Sequence, residues 1–118
     1  MIERIIPPEE ISTAIRMERD IRLYRPTAVL LAHTTSAETE FIFGRSAKYH
    51  GALFWPLQGG VEEDETVQVA AARELHEEIP NLCVPPDSIN VLGAVRYAIP
   101  NRSRDGYREG KLLIACRV

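Results

Sequence analysis

Gly59-Gly60-Val61-Glu62-Glu63-Asp64-Glu65-Thr66-Val67-Gln68-Val69-Ala70-Ala71-Ala72-Arg73-Glu74-Leu75-His76-Glu77-Glu78-Ile79-Pro80 is the stretch that decides the fold. A pair of glycines feeds directly into a segment, Thr66 to Ile79, that reads as a helix: Thr66 is available as N-cap, Ala70-Ala71-Ala72 are strong helix formers, and Pro80 is the stop. At about 100° per residue, Glu74, Glu77 and Glu78 fall within one sector roughly 100° wide, because positions i, i+3 and i+4 share a helix face. Like charges this close destabilise an isolated helix by about 0.2–0.5 kcal/mol per pair, so a purely structural helix would gain by losing one. A cation is expected there. Leu75, Ile79 and Ala72 form another sector that can anchor the helix on a sheet, and Ala70 and Ala71 keep the neighbouring surface small. Arg73 stands four residues before Glu77, placed to orient a carboxylate or offset the local charge. Gly59 and Gly60 allow close backbone approach and positive φ where a loop bends around a metal or a phosphate.

Hard carboxylate oxygens without a thiol or imidazole pair suit Mg²⁺, or Mn²⁺, rather than zinc, and Mg²⁺ commonly shares its shell among few carboxylates, waters and substrate phosphates. Phosphoanhydride chemistry follows. His76 precedes two glutamates, but Pro80 occupies the place a second zinc-binding histidine would need, so His76 reads as a bystander.

Upstream, residues 1–26 read as an N-terminal extension with a helix over Glu9 to Arg22, entered at Pro8, with Ile11, Ala14, Ile15, Met17 and Ile21 on its apolar side. Thr27 to Ala32 reads as a buried strand, His33 to Glu40 as a turn, and Phe41 to Gly44 as the return strand of a hairpin. Ala52 to Trp55 is a short apolar strand that runs into Gln58-Gly59-Gly60. Downstream, Val91 to Ile99 and Lys111 to Val118 read as two more strands, joined by the polar loop Pro100 to Gly110. The pattern is α/β in one domain, residues 1–118, without repeats or linkers. With 118 residues, 45% hydrophobic and 26% charged, the chain can bury a single core. Its 14 Lys plus Arg against 17 Asp plus Glu leave a net charge of −3, which offers no basic field to polymeric nucleic acid. The longest apolar runs are far too short to span a membrane, and the start lacks a signal peptide's apolar core, so a cytoplasmic protein is expected. Cys83 and Cys116 are expected to be small buried hydrophobes.

The central stretch resembles the Nudix box, G-x5-E-x7-R-E-U-x-E-E-x-G-U with U aliphatic. Gly59, Glu65, Arg73, Glu74, Glu77 and Glu78 match in register, with Leu75 at the first aliphatic place. Six such matches arise by chance with a probability on the order of 10⁻⁵. Pro80 departs from the pattern, standing where the family has glycine, and Asn81 stands at the final aliphatic place. The resemblance implies a Nudix fold, a mixed β-sheet in an α/β/α sandwich, with the box at 59–81. It implies Glu77 and Glu78 as principal metal ligands, Glu74 as a ligand or the base that activates water, Arg73 as part of the catalytic set, and Glu65 as support for Arg73. Relatives usually continue past the last strand into another helix, so the fold is expected to be short at the C-terminus. Its packing place is left open between the N-terminal helix, a partner subunit in a homodimer, and a truncated chain. Glu109 is a candidate for the further ligand that many relatives carry outside the box.

The activity implied is metal-dependent cleavage of a pyrophosphate linkage in a nucleoside diphosphate derivative, with nucleoside triphosphates or dinucleoside polyphosphates favoured. Arg96 to Lys111 alternates aromatic and basic residues, and rings that stack on a base beside cations that pair with phosphate make Tyr97, Tyr107 and Lys111 candidates for substrate binding, with Gly59 and Gly60. Mixed-charge loops are more commonly just solvated. Two other classes stay in view: a Nudix-like nucleotide-binding module without turnover, motivated by Pro80 and the short C-terminus, and an oligomeric structural protein with an exposed acidic face.

Overall fold

The computed structural model describes residues 4–34, 39–41, 44–45, 54–55, 57–81, 83–99 and 106–118, with backbone alone for 31–34, 39–41, 44–45 and 54–55. Pro8–Glu10 forms a 3-10 turn that leads into helix α1, Ile11–Ile21. The chain leaves α1 through Arg22 in the left-handed conformation (φ 58), with the Arg22 amide donating to the Glu18 carbonyl at 2.7 Å. Ile11, Ala14, Ile15 and Glu18 point inward, at i, i+3, i+4 and i+7. Met17 and Ile21, expected on that apolar side, are instead 53% and 47% exposed. Glu18 holds the inward position because its charge is satisfied there: its carboxylate accepts from the Tyr24 amide at 3.1 Å and from Arg96 Nε at 3.5 Å.

Strand β1, Tyr24–Thr34, is longer at both ends than the apolar run Thr27 to Ala32, because neighbours on both sides supply hydrogen bonds past the last apolar residue. Antiparallel to it lie β2, Thr39–Phe41, and further along β5, Leu57–Gly60. A separate ribbon pairs β3, Gly44–Arg45, with β4, Phe54–Trp55. The expected hairpin partners are found as β1 and β2 with other bounds: His33 and Thr34 belong to β1, and Thr39 and Glu40 to β2, rather than to the turn. Gly44, expected in the return strand, belongs to the separate ribbon; residues 35–38, Ile42 and Phe43 lie outside the described residues. After helix α2, Val67–Glu78, strands β6, Asn90–Ala98, and β7, Gly110–Arg117, complete the sheet. β7 runs parallel to β1 and antiparallel to β6, so the main sheet is mixed, in the order β2-β1-β7-β6 with β5 also on β1. The expected α/β class with a mixed sheet is found.

Period-two alternation decides which face each strand residue takes. Ala28, Leu30, Ala94, Leu112, Ile114 and Cys116 join one core with Ile11, Ala14 and Ile15 of α1 and with Val67, Ala70, Ala71 and Leu75 of α2. Both helices therefore pack on the same face. Of the two helical layers of a sandwich, the described residues supply this one. Ile79, expected among the anchors, is past the helix end and 42% exposed; Val67 and the fully buried Ala70 and Ala71 anchor α2 with Leu75 instead. Small alanines let the helix axis approach the sheet closely. Cys116 is buried as expected, and burial pushes its thiol up to about 12, whereas Cys83 is exposed because it follows the helix in a surface segment.

Candidate active site

β5 brings Gly59 and Gly60 against β1, with Ala28 opposite Gly59 and Thr27 opposite Gly60. Neither glycine has positive φ; what each requires is room. A Cβ on Gly59 would overlap the Glu74 carboxyl group, and a Cβ on Gly60 would overlap the Arg25 guanidinium. The pair is thus a thin wall with a carboxylate against one residue and a cation against the next.

The chain then turns through 61–66 into α2. The Val61 amide donates to the Pro26 carbonyl at 3.0 Å, and the Glu65 amide to the Glu62 carbonyl at 3.1 Å. Thr66 caps the helix by accepting from the Val69 amide at 3.2 Å. At the other end, Pro80 forces the preceding residue out of the helical region: Ile79 sits at φ −128, ψ 82, while its amide still donates to the Leu75 carbonyl at 2.8 Å. Glu78 is the last helical residue.

Arg73 is the hub. Its Nε donates to Glu65 Oε2 at 2.7 Å and its Nη2 to Glu65 Oε1 at 2.9 Å, a bidentate fork, and Nη2 also reaches the Gly60 carbonyl at 3.0 Å. Nη1 is shared between Glu74 Oε1 at 2.7 Å and Glu77 Oε1 at 3.4 Å. The hydrogen bond from Arg73 holds the Glu65 carboxyl below its usual range, against the effect of burial, and the same pair holds the guanidinium firmly protonated. Glu74 goes the other way. Burial, the largest cause, together with repulsion from Glu77 and Glu78, raises it above the usual 4.5 despite the contact with Arg73. The net direction follows burial because desolvation of the carboxylate outweighs the hydrogen bond that Arg73 Nη1 gives it.

Glu77 and Glu78 are exposed at the end of α2. Among the described residues, no three His, Cys, Asp or Glu side chains converge at metal-binding separations. The trio shares one face and one electrostatic field without closing on a point. His76 is exposed and has Nδ1 3.7 Å from Cys83 Sγ. Glu109, in the loop before β7, is held through its backbone, its amide donating to the Leu23 carbonyl at 2.7 Å and its carbonyl accepting from Ile99 at 2.8 Å.

On the sheet face opposite the helices, register aligns Tyr97 of β6 with Lys111 of β7, and Lys111 with Arg25 of β1. Lys111 Nζ donates to Gln58 Oε1 at 3.2 Å, and Tyr97 is 47% exposed. Tyr107 is elsewhere. It is buried, its hydroxyl accepts from Arg22 Nη1 at 3.1 Å, and the Arg22 guanidinium lies 5.1 Å from its ring centroid. With Arg19, Arg22, Arg25 and Glu62 to Asp64 it lines an open cavity of about 680 Å³. Arg19 and Arg25 escaped the sequence reading. Arg25 sits two residues before Thr27 on the same strand face, so extending β1 by one turn of alternation would have found it; Arg19 carries no local signal. His33, His50, Phe54, Trp55, Arg102 and Arg104 lie outside the described side chains.

The Nudix domain family model matches residues 23–117, and the chain belongs to the Nudix family. No curated protein matches the chain. Membership supports a hydrolase of the pyrophosphohydrolase type. Helix α1 precedes the matched span. Among the described residues, no helix is long and apolar enough to cross a membrane.

Proposed function

We propose that the protein is a divalent-metal-dependent hydrolase that cleaves a pyrophosphate linkage in a nucleoside diphosphate derivative, a nucleoside triphosphate or a dinucleoside polyphosphate. The observation that carries this reading is the single-faced trio Glu74, Glu77 and Glu78 beside Gly59, with Arg73 held away from full neutralisation of the trio by Glu65. The donor set suits Mg²⁺ or Mn²⁺: it is all-oxygen and anionic, and its members repel one another, which adds to the effect of burial in raising Glu74. When bound, such an ion polarises a phosphoryl oxygen and offsets charge on the leaving phosphate. Glu77 and Glu78 would hold it, with Glu74 as a further ligand or as the group that accepts a proton from the attacking water. Arg73 orients Glu74 and Glu77, and Glu65 orients Arg73. The row Tyr97, Lys111 and Gln58 offers a ring for a base and a cation for phosphate, with Gly59 and Gly60 keeping the intervening wall thin. Tyr107 would contribute to the cavity wall through its pairing with Arg22. The substrate is a small molecule, consistent with a net charge of −3.

A non-catalytic nucleotide-binding module is the second reading, favoured by the carboxylates not converging among the described residues. Product release from a panel of nucleoside triphosphates, dinucleoside polyphosphates and nucleotide sugars, read by chromatography with Mg²⁺ or Mn²⁺, separates the two. Turnover that requires metal and falls at least about 10²-fold in Glu77→Gln supports the hydrolase. Metal and nucleotide binding without turnover replaces it with the binding module.

A further inference from the structure

Helix α1 lies outside the span that the Nudix model matches, yet one of its side chains is wired into the box. Arg19 Nη2 donates to the Glu62 carbonyl at 2.6 Å and the Val61 carbonyl at 3.2 Å, and Nη1 reaches the Glu63 carbonyl at 3.5 Å. Three successive carbonyls therefore converge on one guanidinium. The residue directly before it anchors the helix, since Glu18 is buried and bonded to Tyr24 and Arg96, so Arg19 projects from a fixed base. The loop it holds has reason to spread: Glu62, Glu63, Asp64 and Glu65 are four acidic residues in a row. The held peptide also leads inward. The Glu62 amide donates to Glu65 Oε1 at 3.0 Å, Glu65 forks onto Arg73, and Arg73 meets Glu74 and Glu77.

We infer that Arg19 is a positioning residue for the active site: it clamps the 61–63 carbonyls, fixes the Glu62 amide under Glu65, and so sets Arg73 and the carboxylates it contacts. The inference rests on the hydrolase reading for its effect on turnover, but its structural half stands apart from it. With the clamp gone, Glu65 loses the amide that holds it, and Arg73 is freed to swing toward Glu74 and Glu77. Substrate contacts on the opposite sheet face are untouched. The signature is therefore a fall in kcat with little change in KM, and a higher metal concentration for half-maximal rate.

The test compares Arg19→Met, Arg19→Lys and, as an α1 control, Arg16→Met, whose parent side chain is exposed on the same helix. Amide hydrogen exchange by NMR is measured in each, then kcat, KM and the Mg²⁺ requirement. Expected for Arg19→Met are faster exchange at the Glu62 and Glu65 amides with α2 protection retained, kcat lower by about tenfold or more, and KM within about twofold; the lysine variant recovers part of each, and Arg16→Met matches wild type. Unchanged exchange at Glu62 and Glu65 overturns the inference, as does unchanged kcat and metal requirement in an active enzyme, or a loss equally large in Arg16→Met. If the wild type itself shows no turnover with any metal, the hydrolase reading fails, and the exchange result alone decides whether Arg19 positions the loop.

Discussion

Replacing Arg73 by lysine keeps the charge of the hub and removes its planar fork. The guanidinium spans the Glu65 carboxylate at 2.7 and 2.9 Å, the Gly60 carbonyl at 3.0 Å and Glu74 at 2.7 Å. An ammonium has its donors on one atom and reaches about two of these groups at once. Two charge-assisted hydrogen bonds are lost, at about 1.5 kcal/mol each. The Arg73 side chain is 32% exposed, so solvent screening reduces the total to about 2 kcal/mol. With 118 residues and an unfolding entropy of about 2.1 cal/mol/K per residue, the melting temperature falls by about 8 °C.

The pH dependence tests the cause. Arg73 holds the Glu65 carboxyl below its usual value, so in the folded protein this acid binds its proton less readily than in the unfolded chain. A depressed acid contributes stability that is fully present above the unfolded value of 4.5 and is lost as pH falls through the folded value. In Arg73→Lys the part of that contribution that depends on the planar fork is absent at every pH. The two melting curves, followed by calorimetry, should therefore be furthest apart at pH 7 and draw together below 4.5. A difference under about 2 °C at pH 7, or one that stays undiminished at pH 3, refutes the account.

Glu74→Gln should melt above wild type at pH 7 without metal, because the ionised form is disfavoured by burial and by Glu77 and Glu78; the difference should vanish as pH falls below 4.5, where wild type is protonated in both states, and metal-dependent turnover should be lost. Gly59→Ala puts a methyl group where the Glu74 carboxyl lies; the end of that flexible side chain can swing aside, so calorimetry should register little change while kinetics shows kcat lower by about tenfold or more, and wild-type kinetics would mean Glu74 does not pack there. Glu18→Ala strips the Tyr24 amide and Arg96 of a buried acceptor, and denaturant titration should show about 2–3 kcal/mol less stability, with an unchanged midpoint counting against the pairing.

What the sequence made legible is local. The limits of α2 follow from Thr66, the alanine run and Pro80, all within a few residues of the bonds they govern. The three glutamates share a face because helix geometry alone puts them there. The misses are pairings across the chain. Glu18 takes an inward position that an apolar pattern assigns to Met17 or Ile21, and only Tyr24 and Arg96 make that tolerable. Arg19 meets carbonyls some forty residues away, and carbonyls have no sequence signature. For Gly59 and Gly60 the need for glycine was legible but its reason was not: side chains approach them from α2 and β1, and neither takes positive φ.

The arrangement of donors on Arg73 explains how α2 can carry a cluster that repels itself and still leave that cluster available. Were Arg73 alone on the helix, both its terminal nitrogens would fold onto Glu74 and Glu77 and cancel much of their charge. Glu65 prevents this by occupying Nε and Nη2, and the Gly60 carbonyl takes a second bond from Nη2. One nitrogen, Nη1, remains for two carboxylates, at 2.7 and 3.4 Å, and Glu78 makes no ion pair among the described residues. The face therefore keeps a net negative charge in excess of what its own arginine neutralises, and Glu74, whose proton is held more tightly chiefly because its carboxyl is buried, is pushed further the same way by Glu77 and Glu78. A residue outside the trio thus governs how much charge the trio presents. Glu65, eight positions upstream of Arg73 and itself fixed by the Glu62 amide, sets that quantity without needing to touch a ligand.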